Sequence, residues 1–308
     1  MNAPAFYAGV DGGGTKTEIV IVDSAGVERA RHRLATSNQS VVGSDQAIAT
    51  LRQCVQEAAK TAGACLPLEH AWFGLAGFDR PEDQSRMAPA LTDLVRTVTM
   101  SNDGELVLTA LPESIGVAII AGTGSIAVGR DASGVSARAG GWGHIFGDEG
   151  SGYDLGRRAL EAVARMHDGR GPSTSLMASV LEHWRLDSAP RLIARVYGDR
   201  ASKGDIAALS DIVVQSAADG DSIANTLLTD AAEALAVTGL AVARRLSFGD
   251  DVPLALAGGL LASVPSLQET VIRHFTVSHP VSTVVVVTDP ALSAARAAVT
   301  RRGVVTNG

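Results

Sequence analysis

Two glycine-rich turns, each set between apolar strands, limit the folds open to this 308-residue chain. The first is Asp11-Gly12-Gly13-Gly14-Thr15, between strand-like residues 6–10 and 18–23. The second is Gly122-Thr123-Gly124-Ser125, between 117–121 and 126–130. Apolar runs separated by so few residues pair as hairpins. A third strand follows each hairpin, near 27–34 and at 135–139, so the chain opens a β-β-β unit twice. Apolar residues at Ala47, Ile48, Leu51, Val55, Ala58 and Ala59 give a helix over 44–62. A strand over 70–75, a helix over 81–96 and a strand over 97–101 complete the first unit. The second carries helical insertions at 151–167 and about 206–246, strands at 254–256 and 283–287, and a closing helix over 291–301. The expectation is an α/β chain of two similar domains, 1–115 with the C-terminal helix 291–308, and 116–290.

Composition narrows the partners. A net charge of −7 argues against a nucleic-acid surface, and Arg29, Arg31, Arg33 and the Arg157–Arg158 pair read as solvated faces. The weakly polar stretch 116–129 is too short to cross a bilayer, and no signal-peptide pattern precedes Gly9. Cys54 and Cys65 cannot make a disulfide framework or a four-ligand zinc site, and Cys54 reads as a small buried hydrophobe. A cytoplasmic protein with no nucleic-acid or membrane partner is expected.

The turns carry the first chemistry. Three successive glycines let backbone N–H groups approach an anion with no Cβ in the way, and the hydroxyls of Thr15 and Thr17 could add donors. Asp11 would face phosphates only with Mg²⁺ between them. No Gly-Lys-Ser/Thr opens a helix here, so this is not a Walker A loop. Either turn alone could be a plain hairpin tip; two of them imply a nucleotide held by two related halves. Gly258-Gly259 follows the strand at 254–256, and is either a strand-to-helix turn or a place where adenine or ribose lies on backbone.

Acidic residues stand at strand ends. Asp103, in Asn102-Asp103-Gly104, is either a helix cap or the general base for an attacking hydroxyl. Phosphoryl transfer asks mainly for alignment and charge neutralisation, so one placed carboxylate suffices. The segment 140–152, GGWGHIFGDEGSG, packs glycines, a tryptophan and two carboxylates too densely for a core element. It suits a loop around a polyol, with Asp148 accepting from sugar hydroxyls. Asp148, Glu149 and Ser151 also resemble a helix N-terminus, and His144 reads as structural.

DGGGT, the mid-chain Asp after a strand, AGTGS and GGWGHIFGDEGSG together resemble the N-acetylglucosamine kinase family, in the BadF/BadG-type branch of the actin/hexokinase/Hsp70 superfamily. The resemblance implies two ribonuclease-H-like domains with an interdomain active-site cleft, using ATP and Mg²⁺ on an amino sugar. It assigns Asp11, Gly13, Gly14, Thr15, Lys16, Thr123, Gly124, Gly258 and Gly259 to the nucleotide, with Asp11 reaching Mg²⁺ through water. It makes Asp103 the base for the sugar 6-hydroxyl and gives Asn38, Asp103, Gly141, Trp142 and Asp148 to the sugar. A homodimer is allowed for. Two positions depart from the pattern: Ile126 replaces a sugar-contacting Asn of animal members, and Ser293 a Gly of the closing segment. Glucosamine kinase is the nearest rival, and a 2-hydroxyacyl-CoA dehydratase activator or a sugar sensor is more remote. N-acetylglucosamine is favoured because burying the glucosamine ammonium needs a carboxylate partner, and Asp103 and Asp148 are assigned to hydroxyls.

Overall fold

The computed structural model describes residues 4–78 and 85–300, and the chain divides into two compact units, 1–115 with 289–308 and 116–288. In the first, β1 (Phe6–Gly12), β2 (Lys16–Asp23) and β3 (Glu28–Ala35) form an antiparallel meander. Helices α1 (Gln39–Val42) and α2 (Ser44–Ala62) lead to β4 (Leu68–Leu75), then β5 (Val95–Asn102) and α3 (Asp103–Leu106). Sheet order is β3-β2-β1-β4-β5, with β4 parallel to both β1 and β5. The buried stripe of α2, including Ala47, Leu51, Val55 and Ala58, meets Val10, Ile19, Ile21 and Phe73 on one face.

The second unit repeats the plan. Strands β6 (Gly116–Ala121), β7 (Ser125–Arg130) and β8 (Ser136–Gly140) form its meander. Helices α4 (Gly152–His167), α5 (Leu176–Trp184), α6 (Lys203–Ala207), α7 (Leu209–Ala218) and α8 (Ser222–Ala243) make up the insertions. Then come β9 (Val252–Ala257), α9 (Gly259–Ser263), α10 (Pro265–Ser278) and β10 (Val281–Val287); α11 (Pro290–Thr300) returns to the first unit. Sheet order is β10-β9-β6-β7-β8, the first order read from the other edge. Helix α8 is long and apolar enough to cross a membrane, but half of its apolar window is buried, with Leu235, Ala236, Leu240 and Val242 among Val117, Ile119 and Phe275.

One of the expected elements needs correction. The helix over 81–96 does not form as drawn. Residues 79–84 lie outside the described residues, Pro89–Leu91 is a single 3-10 turn, and β5 already begins at Val95. Pro89 cannot donate a helical N–H, which limits the helix that precedes it. The helical insertion over 206–246 is built of three helices, broken at Ala208 and again by Gly220-Asp221. The arginines of the β2–β3 face are paired: Arg29 with Asp23, and Arg31 with Glu18, Glu28 and Asp289.

Candidate active site

Each sheet sets several of the expected site residues at the carboxyl ends of its parallel strands, where α/β sheets commonly bind ligands. In the first unit Gly12 lies beside Leu75, and Leu75 beside Asn102, so Asp11 near the end of β1 and Asp103 just past β5 flank the end of β4. Gly13, Gly14, Thr15 and Lys16 form the tip of the β1–β2 hairpin, closed by the Gly13 N–H donating to Lys16 O at 2.9 Å. A Cβ on Gly14 would meet nothing within 4 Å, and one on Gly13 only Lys16 O at 3.6 Å, so the tip leaves open space. Thr15 and Lys16 are exposed, and Lys16 pairs with Glu18 at 3.4 Å. Thr17 is a correction: its hydroxyl is buried and donates to Ser37 Oγ at 2.8 Å, which removes it from any phosphate.

Asp103 does not cap α3. That role belongs to Asn102, whose side chain accepts from Gly104 N at 3.0 Å, leaving Asp103 in the first turn. Burial, and next the charge of Asp103, push the Asp11 carboxyl up to about 6, against the opposing influence of Lys16. Asn38 caps α1 by accepting from Ser40 N at 2.9 Å. Thr36 ties it to the hairpin tip, donating to Gly13 O at 2.8 Å while accepting from Asn38 N.

In the second unit the tip Gly122–Ser125 is fastened to the loop before α4. Gly152 N donates to Gly122 O at 2.8 Å, Tyr153 N to Thr123 O at 3.3 Å, and Ser125 Oγ to Glu149 O at 2.7 Å. Asp148 is buried with a left-handed backbone (φ 62°); Oδ1 accepts from Ser125 N at 3.2 Å and Oδ2 from Lys203 Nζ at 2.7 Å. A Cβ on Gly124 would stand 2.9 Å from Oδ1, so only glycine lets the turn close on this carboxylate. Ser151 is the helix cap of the segment, accepting from Asp154 N. Gly258, at φ 90°, brings its turn against Ala121, where a Cβ would fall 2.5 Å from the Ala121 carbonyl oxygen. Its neighbour Gly259 has nothing within 4 Å of a Cβ and sits beside Gly122.

Gly141 donates to Ser125 O at 3.1 Å and lies over Ile126, which would be 2.7 Å from a Cβ there. Trp142 is 65% exposed, with Phe146 at 6.4 Å between ring centroids and the Arg138 guanidinium 5.9 Å from its ring. His144 packs edge-on against Tyr153. Thr123, Gly124, Asp148, Gly258 and Gly259 are thus gathered around one turn, and Gly141 is joined to it through Ser125. Lys203 had no signal in the sequence reading, since its partner lies 55 positions away.

The sequence profile of the BadF/BadG/BcrA/BcrD ATPase family matches residues 8–294. The chain belongs to this family. Within it, the chain is 32% identical over 284 residues to the N-acetylmuramic acid/N-acetylglucosamine kinase of Clostridium acetobutylicum, covering 89% of this chain and 92% of that protein. It is also 32% identical over 307 residues to the N-acetyl-D-glucosamine kinase of Dictyostelium discoideum, covering 94% and 96%. A solved structure from Chromobacterium violaceum, provisionally assigned as an N-acetylglucosamine kinase, superposes with a TM-score of 0.70 at 28% identity, covering 95% and 97%. The α/β architecture of two five-stranded sheets is that of these sugar kinases.

Proposed function

We propose that this chain is an ATP-dependent kinase that phosphorylates the 6-hydroxyl of N-acetylglucosamine. The observation that carries the reading is the open hairpin tip at Gly13–Gly14 beside the Asp11 and Asp103 carboxylates. The space suits an anion, and the adjacent carboxylates suit the metal that accompanies a polyphosphate. Asp103 accepts the proton of the attacking hydroxyl. Thr15, Lys16, Thr123 and Gly124 hold phosphate oxygens, and Gly258–Gly259 lie against the adenosine.

Mg²⁺ fits here through Asp11: burial and Asp103 both disfavour its charge, and a divalent cation relieves that. Among the described residues no group of three or more His, Cys, Asp or Glu could hold a metal, so the nucleotide would supply the other ligands. When bound, Mg²⁺ neutralises phosphate charge.

Asn38 has its side-chain oxygen engaged in the cap and offers its amide N–H to the sugar. Asp148 is engaged at both oxygens, yet each keeps a lone pair for a hydroxyl. Trp142 offers an exposed face, and Ile126 beneath Gly141 walls a niche for the acetamido methyl. The names of the relatives support an N-acetylated hexosamine. Two free cysteines fit a reducing, cytoplasmic setting.

The test is kcat/KM for N-acetylglucosamine and glucosamine, with Asp103→Asn alongside. N-acetylglucosamine should be preferred; a tenfold preference for glucosamine, about 1.4 kcal/mol, overturns the acetamido assignment. Asp103→Asn should lower kcat by roughly 10²–10⁴-fold with little change in KM. Near-wild-type turnover removes Asp103 as the base.

A further inference from the structure

Lys203 is the first residue of α6, far in sequence from both glycine turns. A capping box sets its place: Ser202 accepts from Asp205 N, and the Asp205 carboxylate accepts from Ser202 N at 2.8 Å. The short helix is clamped to the start of α4. A Cβ on Gly156 would lie 1.9 Å from Ile206 O, and one on Gly152 3.3 Å from Ala207 O, so the two backbones meet through glycine. Ile206 and Ala207 are buried in that contact. The stem of Lys203 is therefore held, and its ammonium reaches Asp148 Oδ2 at 2.7 Å with the Asp148 side chain 5% exposed.

Asp148 has little reason to stand where it does without that cation. Its backbone is left-handed, a conformation L-residues rarely adopt, and its carboxylate is buried. A buried charge persists when paired and hydrogen-bonded, and Lys203 and Ser125 N are the two donors. With Oδ2 drawn to Lys203, Oδ1 faces the Ser125 amide and the Gly124 backbone. We propose that Lys203 is a positioning residue: by fixing the Asp148 carboxylate it holds the Gly122–Ser125 turn in its anion-accepting shape. The inference rests on the kinase reading for what the turn binds, but the turn's order can be measured without it.

Two readouts test it. Amide hydrogen exchange at Ser125 reports the Oδ1 contact directly. In Lys203→Met, Ser125 exchange should accelerate by at least about tenfold, the scale expected for losing a hydrogen bond to a charged group. In the same variant KM for ATP should rise about tenfold with kcat changed less, as binding is lost rather than chemistry. A merely structural role would lower the folded fraction and leave KM unchanged.

The double variant Lys203→Met with Asp148→Asn removes the uncompensated charge while keeping an amide oxygen for Ser125. It should recover most of the Ser125 protection, and it covers the case in which Lys203→Met alone does not fold. Unaltered Ser125 exchange in Lys203→Met, or in its absence an unprotected Ser125 in the double variant, overturns the proposal; so does an unchanged KM for ATP in folded Lys203→Met. If the wild-type protein phosphorylates no amino sugar, the kinase reading fails, and Ser125 exchange still decides the role of Lys203.

Discussion

Asp11 holds its proton more tightly in the folded chain than in the unfolded one, because burial and then the charge of Asp103 oppose its ionised form. A raised acid pKa leaves stability intact below the unfolded value, 3.8, and removes it as pH climbs to about 6. Above that range the cost of ionised Asp11 is up to about 3 kcal/mol. Asp11→Asn should therefore melt at the same temperature as wild type near pH 3.5 and several degrees higher at pH 7.5, without metal or nucleotide. Thermal melts across pH 3.5–8 check this, and a gap that stays constant would refute the assignment to Asp11. The same variant should bind Mg-ATP more weakly, so a residue that costs stability is retained for its ligand. Lys203 and Asp148 show a different arrangement, a buried charge compensated within the protein itself.

The glycine hairpins separate into positions that the fold needs and positions that it does not. Gly124 and Gly258 have a carboxylate and a carbonyl where a Cβ would stand, whereas Gly14 has open space. Gly14→Val should thus leave the melting temperature within about 1–2 °C, since an exposed turn substitution without a clash costs little, while raising KM for ATP at least tenfold. A variant equally fit in both would show that nothing large docks at the tip. Hairpins and the helix α2 were legible because their signals are local: apolar runs broken by glycines, and a helical period ending at Gly63, whose left-handed φ of 65° stops it. The edges of β5 and the helices α5 and α6 were not, since tertiary packing selects them. Ser202 and Asp205 did carry a capping-box spacing that could have located α6. The role of Asp148 was half legible; its acidity and its loop could be read, but the cation that orients it comes from a separate helix.

At the scale of the whole molecule, the chain leaves the first unit at Ile115 and returns at Asp289, so that unit is finished by its last helix. Helix α11 covers the sheet face opposite α2, setting Ala291, Ala295 and Ala298 on Tyr7, Val20 and Val22, and Ala294 by Trp72 and Leu106. Asp289 starts the helix by accepting from Leu292 N at 2.9 Å, and its other oxygen takes a hydrogen bond from Arg31 on β3. The approach is closest at Gly9, where a Cβ would lie 2.0 Å from Ala291 O and 2.4 Å from Ala295 N. The alanines of α11 and Gly9 on β1 are therefore one packing device written at opposite ends of the sequence. Gly9→Val must push helix from sheet, and overpacking of this kind costs about 1–3 kcal/mol or more. Because α11 joins β1, β2 and β4 into one packed layer, hydrogen exchange should accelerate together in Phe6–Gly12, Leu68–Leu75 and Pro290–Thr300. If α11 alone lost protection, the helix would be an accessory of the first unit rather than part of its core.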